Sequence, residues 1–479
     1  MSNSKNSLYY VHVAIVVVLM FLFRYIPAPA PITPYGMHVL GIFIGLVYGW
    51  SLCGLAWPSV LALVALGISD YGITETVFAS VWGQAGLILM LFGFMLFAPL
   101  SESGLTEALG YKLLSIKVIQ GRPLLMLAVI FVGVFLLTLT HINAYLLMFF
   151  MMTIFIDIFK KIGYQKGDRF IPMFLCGVFM QTALGNLIFP FYAFPILVYN
   201  AAGVPANNTG YLLTAIVFIV AVEIVLVMLF KILRLNLEPL KNINYDELSE
   251  KASQPLNKRQ KGLLVIVFLF LASMLTVGLY ASATGNPVQV LLNKVGVYGA
   301  IAAVLVIALV VKVDGEPLLS IDTMTKGVNW NILLLYSMAL AMSNILTAAD
   351  TGISSFVVGI ASPVLASVSE YWFLLLIGLM TLILTNIGNN VVVIFTMAAV
   401  VKMLVGAGLA VNGPLAVMVV LFSGMSTGYL LPSASVAASL VFGSDMNTPK
   451  TALMQGVVVI VAWMLLLAFV MVPVGMFFL

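Results

Sequence analysis

The 479 residues are 63% hydrophobic and 8% charged, with 21 Lys and Arg against 17 Asp and Glu for a net charge of +4, roughly a third of the charge density of a soluble domain. Water is excluded as the main solvent, and the confinement of the basic residues to a few loops argues against a nucleic-acid surface. Cys53 and Cys176 lie in apolar runs with no CxxC spacing and no histidine at ligand distance, so they indicate neither a disulfide framework nor a metal site and read as packing residues.

The first apolar run, Val11 to Phe23, follows Lys5 as a signal peptide would. No small-residue cleavage site succeeds it. Arg24 and the stiff stretch Pro27-Ala28-Pro29-Ala30-Pro31 come next, which predicts a first span ending in a rigid loop. Further apolar segments follow at 38–56, 58–69, 84–100, 123–158, 170–200, 212–234, 262–283, 295–313, 329–347, 371–409, 415–442 and 452–479. A crossing helix needs about 20 apolar residues. The segments at 123–158 and 371–409 are too long for one helix, and polar residues break those at 170–200 and 415–442. The charged, proline-containing stretch 236–261 reads as a solvated linker.

The two halves repeat each other. Glu102-Ser103-Gly104-Leu105 recurs as Asp350-Thr351-Gly352-Ile353, each at the end of a long apolar helix. Thr140-His141-Ile142-Asn143 recurs as Thr385-Asn386-Ile387-Gly388, and Thr182-Ala183-Leu184-Gly185 faces Thr427-Gly428-Tyr429-Leu430. Three pairs in one order at nearly constant spacing predict an internal repeat. With a cytoplasmic amino end, eleven spans and 123–158 and 371–409 as re-entrant hairpins, all basic residues but Arg24, Lys294 and Lys402 fall inside. The carboxyl end is then external, the hairpins enter from opposite sides, and the repeats are inverted.

Polar clusters within apolar runs are costly unless they line a cavity. One pair is the hairpin tips, 138–143 and 381–390. Asn and Gly end a helix at each tip, and the helix that follows would aim free N–H groups at the midplane, which suits an anion. The other pair is the broken helices, at Gln181-Thr182-Ala183-Leu184-Gly185-Asn186, and at Ser426-Thr427-Gly428 with Leu431-Pro432-Ser433-Ala434-Ser435. Unwound carbonyls beside hydroxyls there make oxygen sites suited to sodium. Close helix packing is the plain alternative for any one Gly, Ser or Thr, but it does not account for paired interruptions.

With these residues in place the chain resembles the divalent anion:sodium symporter family of the ion transporter superfamily, from about Gly36 onward. Ser423 to Gly443, with Leu431-Pro432 and Leu440-Val441-Phe442-Gly443, is similar to that family's second unwound-helix motif, and Gly177 with Thr182 and Gly185 to its first. The family's Ser-Asn-Thr triplets are matched by Thr140-His141-Ile142 and Thr385-Asn386-Ile387, so Asn386 is kept, His141 replaces its counterpart and isoleucine replaces both threonines. Two donors to the anion are lost, and of the family's Thr-Pro-Pro-Asn only the hydroxyl of Ser435 survives. The resemblance implies substrate contacts at Thr140, His141, Asn143, Thr385, Asn386, Asn389 and Ser435. It implies a second sodium site at Thr381, Asn386 and the Ala434 carbonyl, and a first, more altered one at Thr140 and Gly185. It also implies a homodimer.

His141 could pair with a carboxylate, carry a coupling proton, or simply pack; an alignment shifted by two would make Asn143 the ligand. Glu223, deep in 217–229, reads equally as part of a proton relay or as an interhelical hydrogen bond while protonated. Glu102 and Asp350 read as interfacial caps.

The chain is thus expected to be an all-α polytopic membrane protein of about eleven transmembrane helices and two re-entrant hairpins. It divides into a first helix and loop (1–35), repeat one (36–235), a cytoplasmic linker (236–261) and repeat two (262–479). Its expected work is secondary active transport of a small organic anion, a carboxylate first, coupled to sodium or protons by elevator motion in the inner membrane. It would need no cofactor beyond a coupling ion. An uncoupled exchanger or an anion channel are the rival readings; an enzyme is not expected, since HExxH is absent and intramembrane acids are too few for a catalytic pair.

Overall fold

A backbone in hydrocarbon has to satisfy its own hydrogen bonds, and α-helix does so within one segment. The computed structural model follows that rule and describes residues 2–479 apart from 84, 140–143, 244–249, 251, 410, 432, 433, 436, 437, 439, 440, 443 and 445. The first half holds α1 (Ser2–Leu22), α2 (Pro34–Leu52), α3 (Ala56–Gly67), α4 (Thr74–Trp82), α5 (Ala85–Glu102), α6 (Leu105–Leu114), α7 (Pro123–Leu139), α8 (Ala144–Lys161), α9 (Phe170–Gly185), α10 (Ala193–Ala202) and α11 (Asn208–Ile232). The second holds α12 (Lys258–Tyr280), α13 (Pro287–Val310), α14 (Ile321–Gly327), α15 (Trp330–Leu346), α16 (Ile353–Ser367), α17 (Glu370–Ile387), α18 (Asn390–Gly406), α19 (Gly413–Ser426), α20 (Pro449–Leu466) and α21 (Val472–Phe478). The only sheet among the described residues is a two-residue ladder, Lys312–Val313 with Glu316–Pro317.

Among the described residues seven helices are long and apolar enough to cross a membrane: α1, α2, α11, α12, α13, α17 and the run from α20 through α21. An eighth is α4 with α5, bent by 56° at their junction, if that pair counts as one span. Shorter apolar helices, among them α7, α9, α18 and α19, make up the interior. The chain is an all-α polytopic membrane protein. The short helices α4, α6 and α16 lie outside the expected apolar segments, because their mixed faces give no continuous run.

Helix starts follow local chemistry. Thr33, Asn286 and Thr448 each precede a proline, and their side chains accept from Gly36 N, Gln289 N and Thr451 N. The proline has no N–H to strand and the cap oxygen serves a first-turn donor, so each helix begins with fewer orphan N–H groups. The glycines of the repeated motifs have a matching job. Gly104 (φ 69°) and Gly352 (φ 67°) turn the chain in the left-handed region, and Ser103 and Thr351 accept from Leu105 N and Ile353 N at 3.3 Å in each case. The hydroxyls therefore cap α6 and α16, not the neighbouring acids; Glu102 instead accepts from Thr323 at 3.0 Å.

The broken helices occupy the centre. Every residue of α9 is buried, as is nearly all of α19. Helices α7 and α8 pack on α9, α17 and α18 pack on α19, α9 packs on α19, and α11 lies against α7, α9, α19 and α20. Elsewhere α12 pairs with α13, and α13 and α14 pack on α5.

Candidate functional site

The second tip and the second break form one hydrogen-bonded cluster. Helix α17 ends at Ile387, Gly388 is extended, and Asn389 caps α18 by accepting from Val391 N at 3.0 Å and Val392 N at 3.4 Å. Asn390 N donates to the Ala434 carbonyl at 3.1 Å, and Val393 N to the Asn389 carbonyl. The first N–H groups of α18, expected to be free for an anion, are thus taken by the protein in this conformation. Asparagine is the reason: its short side-chain oxygen competes well for N–H groups at a helix start.

Asn386, one turn earlier, ties the tip to the break. Its Nδ2 donates to the Leu382 carbonyl at 2.8 Å and its Oδ1 accepts from Leu430 N at 2.8 Å. Because α19 stops at Ser426, the Gly424 carbonyl has lost its helical partner. Thr385 Oγ1 donates to it at 3.1 Å. Ser435 Oγ donates to the Gly428 carbonyl at 2.7 Å and accepts from Ala438 N at 3.0 Å. Thr381 Oγ1 donates within its own helix to Ile377 at 2.8 Å. Thr381, Thr385, Asn386, Ala434 and Ser435 are all buried.

Thr385, Asn386, Asn389, Ala434 and Ser435 therefore meet in one place, and Thr381 stands one turn down α17, beside Gly424. Ser423, Ser426 and Tyr429 add buried hydroxyl oxygens with no partner among the described residues. Tyr429 was not among the expected contacts, since nothing in the sequence distinguishes it from a packing aromatic; its ring meets Phe179 of α9 edge to face at 5.5 Å.

At the first tip, Thr140, His141 and Asn143 lie outside the described residues. The surrounding frame is described. Thr138 Oγ1 donates to the Phe135 carbonyl at 2.8 Å and reaches the Gln181 carbonyl at 3.4 Å. Tyr192 Oη donates to the Leu139 carbonyl at 2.9 Å. Gly185 closes α9 where a Cβ would stand 1.9 Å from Thr138 Oγ1, so α7 approaches the break only because this residue has no side chain. Gln181 Nε2 donates to Glu223 Oε2 at 2.7 Å, joining α9 to α11. That link is the interhelical bond weighed for Glu223, with its partner now named.

Broken helices buried inside a polytopic helical bundle, the second of them tied to a buried polar hairpin tip, are the build of a membrane transport protein. The chain belongs to the CitMHS citrate transporter family, whose pattern its residues 9–424 match. This family falls within the superfamily expected from the motifs. No curated protein matches the chain.

Proposed function

We propose that the chain is a secondary active transporter that moves citrate, or a small carboxylate like it, across the inner membrane together with sodium ions or protons. The hairpin tips hold the anion and the unwound segments hold the cation. The unit built on α7–α9, α11 and α17–α19 moves as an elevator against the remainder. Two inverted repeats, a homodimer and a cytoplasmic amino end complete the reading. Helices starting at 123, 144, 170 and 208 and again at 370, 390, 413 and 449 support the repeat.

The observation that carries the proposal, beside the family, is the Asn386 bridge inside an uncharged cluster. No Lys, Arg, Asp or Glu occurs in 123–143, 170–190, 377–390 or 423–442. A carboxylate brought there alone would meet no permanent counter-charge, only His141 if protonated, which is costly inside a membrane. A cation carried beside it offsets the charge, and this favours coupled transport over an uncoupled exchanger or a channel.

The test is uptake of radiolabelled citrate by the full chain in proteoliposomes, under a sodium gradient, a pH gradient or neither. Concentrative uptake driven by one gradient supports the proposal. Saturable counterflow indifferent to both gradients indicates an exchanger, a flux that does not saturate indicates a channel, and no citrate movement under any condition overturns the citrate reading.

A further inference from the structure

Glu223 is a carboxylate in the middle of the most apolar spanning helix described, and the second half offers no counterpart: α20 and α21 contain neither Asp nor Glu. It sits at the edge of the buried face of α11, beside Val222, Ile219 and Leu226, which are all buried. Its one hydrogen bond among the described residues is the 2.7 Å contact from Gln181 Nε2, and it has no salt bridge there. Glu223 Oε1 and Gln181 Oε1 are both buried with no donor among the described residues.

The pair thus holds two unsatisfied acceptors and lacks a donor to serve them. One added proton turns the carboxylate into a carboxylic acid, removes the buried charge and supplies an O–H. Among the described residues nothing packed against it can replace that proton as a counter-charge. The elements against α11 carry few titratable groups: α7, α19 and α21 have none, α9 has Cys176, α20 has Lys450 in its first turn, and α12 has Lys258, Arg259 and Lys261 in its first turn and Tyr280 in its last. On α11 itself Tyr211 and Lys231 stand 12 and 8 residues from Glu223, and Tyr429 lies across α9. None of these is hydrogen-bonded to Glu223 among the described residues.

Placement ties the pair to the transport path. Gln181 offers its backbone carbonyl to Thr138, which leads into the first tip, and its side chain to Glu223. Gly185, at the first break, is one turn further along α9.

We propose that Glu223, oriented by Gln181, is the site where this protein binds a proton and carries it across the membrane with the anion. This rests on the transporter reading above. A proton from water on one side neutralises the carboxylate, travels as the O–H of the acid and returns to water on the other side. Gln181 is a positioning residue.

Two measurements on the full chain test this. In the first, infrared difference spectra in lipid are taken across a pH titration for wild type and Glu223→Gln. The carbonyl stretch of a protonated carboxylic acid is expected at neutral pH and should vanish in the variant. A wild-type spectrum without it, or a band that survives in Glu223→Gln, overturns the proposal whether or not citrate is the substrate. In the second, citrate uptake driven by an inward pH gradient is measured in sodium-free vesicles, with an entrapped pH dye. Glu223→Gln should lose the gradient stimulation and the lumenal acidification while citrate counterflow shows that the variant is folded. Gradient-driven uptake equal to wild type overturns the coupling role. Wild type that moves citrate in sodium-containing vesicles but not in these overturns the coupling role, and wild type that moves none in either overturns the citrate reading alone, so that the infrared titration then decides Glu223.

Discussion

Asn386 Oδ1 accepts the backbone N–H of Leu430 at 2.8 Å, across 44 residues of chain. One side chain thereby fixes the end of α17 to the unwound stretch after α19, so anything that moves the tip also moves the break. Asn386→Ala leaves the Leu430 N–H buried without a partner, at a cost of about 1–3 kcal/mol. Citrate uptake should fall about 5- to 150-fold, by an order-of-magnitude conversion of the same figure, in protein that still inserts and melts cooperatively. Undiminished uptake in such protein would show that the cluster is not the transport site.

Asn389 caps α18 through two N–H groups. Asn389→Ala should lower stability by about 0.5–2 kcal/mol, whereas Asn389→Ser should recover most of it, because serine is a comparable cap. Thermal unfolding in one detergent, with the two variants side by side, checks the ordering.

At Gly185 the constraint is steric. A Cβ placed 1.9 Å from Thr138 Oγ1 must push α7 and α9 apart, and Gly185→Ala should cost about 1–3 kcal/mol. The double variant Gly185→Ala with Thr138→Ala removes the clashing oxygen, so its loss should be smaller than the sum of the single losses. Simple additivity in the melting data would show that the clash is relieved some other way.

Tyr164 lies in the loop after α8, where its hydroxyl donates to the Asn236 carbonyl at 2.6 Å. Burial first, and the nearby charge of Asp168 second, push its pKa well above the usual 10.0. The sign is that of a raised folded-state value: the unfolded chain loses the tyrosine proton near pH 10 while the folded chain keeps it. This stabilisation is whole below pH about 10 and fades as the pH rises beyond it. Melting temperature should therefore fall more steeply above that pH in wild type than in Tyr164→Phe, and parallel curves would remove Tyr164 from the account.

Much of this arrangement was legible in the chain, and unevenly. The membrane class followed from composition, and the ends of the apolar helices followed from Asn, Gly and Pro, as at Gly388-Asn389 and Thr448-Pro449. The second tip and the second break were readable because Thr385, Asn386 and Ser435 are conspicuous in apolar surroundings. Their pairing was not. That Asn386 meets Leu430 N, or that Asn389 and Ala434 take the first N–H groups of α18, depends on how two helices are set against each other, and a linear pattern does not encode that. Gln181 and Glu223 were each visible as polar residues in apolar helices, but 42 positions separate them and no periodicity links α9 to α11. Thr138 was read as part of the first tip but not its reach to the Gln181 carbonyl, and Tyr192 was hidden more fully, because a tyrosine in a membrane helix is usually packed as an aromatic.

The absence of Lys, Arg, Asp and Glu from both tips and both breaks bears on membrane voltage. Moving one elementary charge through the full membrane field changes the energy by about 2.3 kcal/mol per 100 mV. After release of the proton the empty carrier returns with Glu223 as a carboxylate, the one charge that the tips, the breaks and the side chains bonded to them take back through that field. Voltage then acts on the return through the Glu223 carboxylate and on the loaded step through the cargo, and the current carried per anion, summed over both steps, counts the cargo's companions directly.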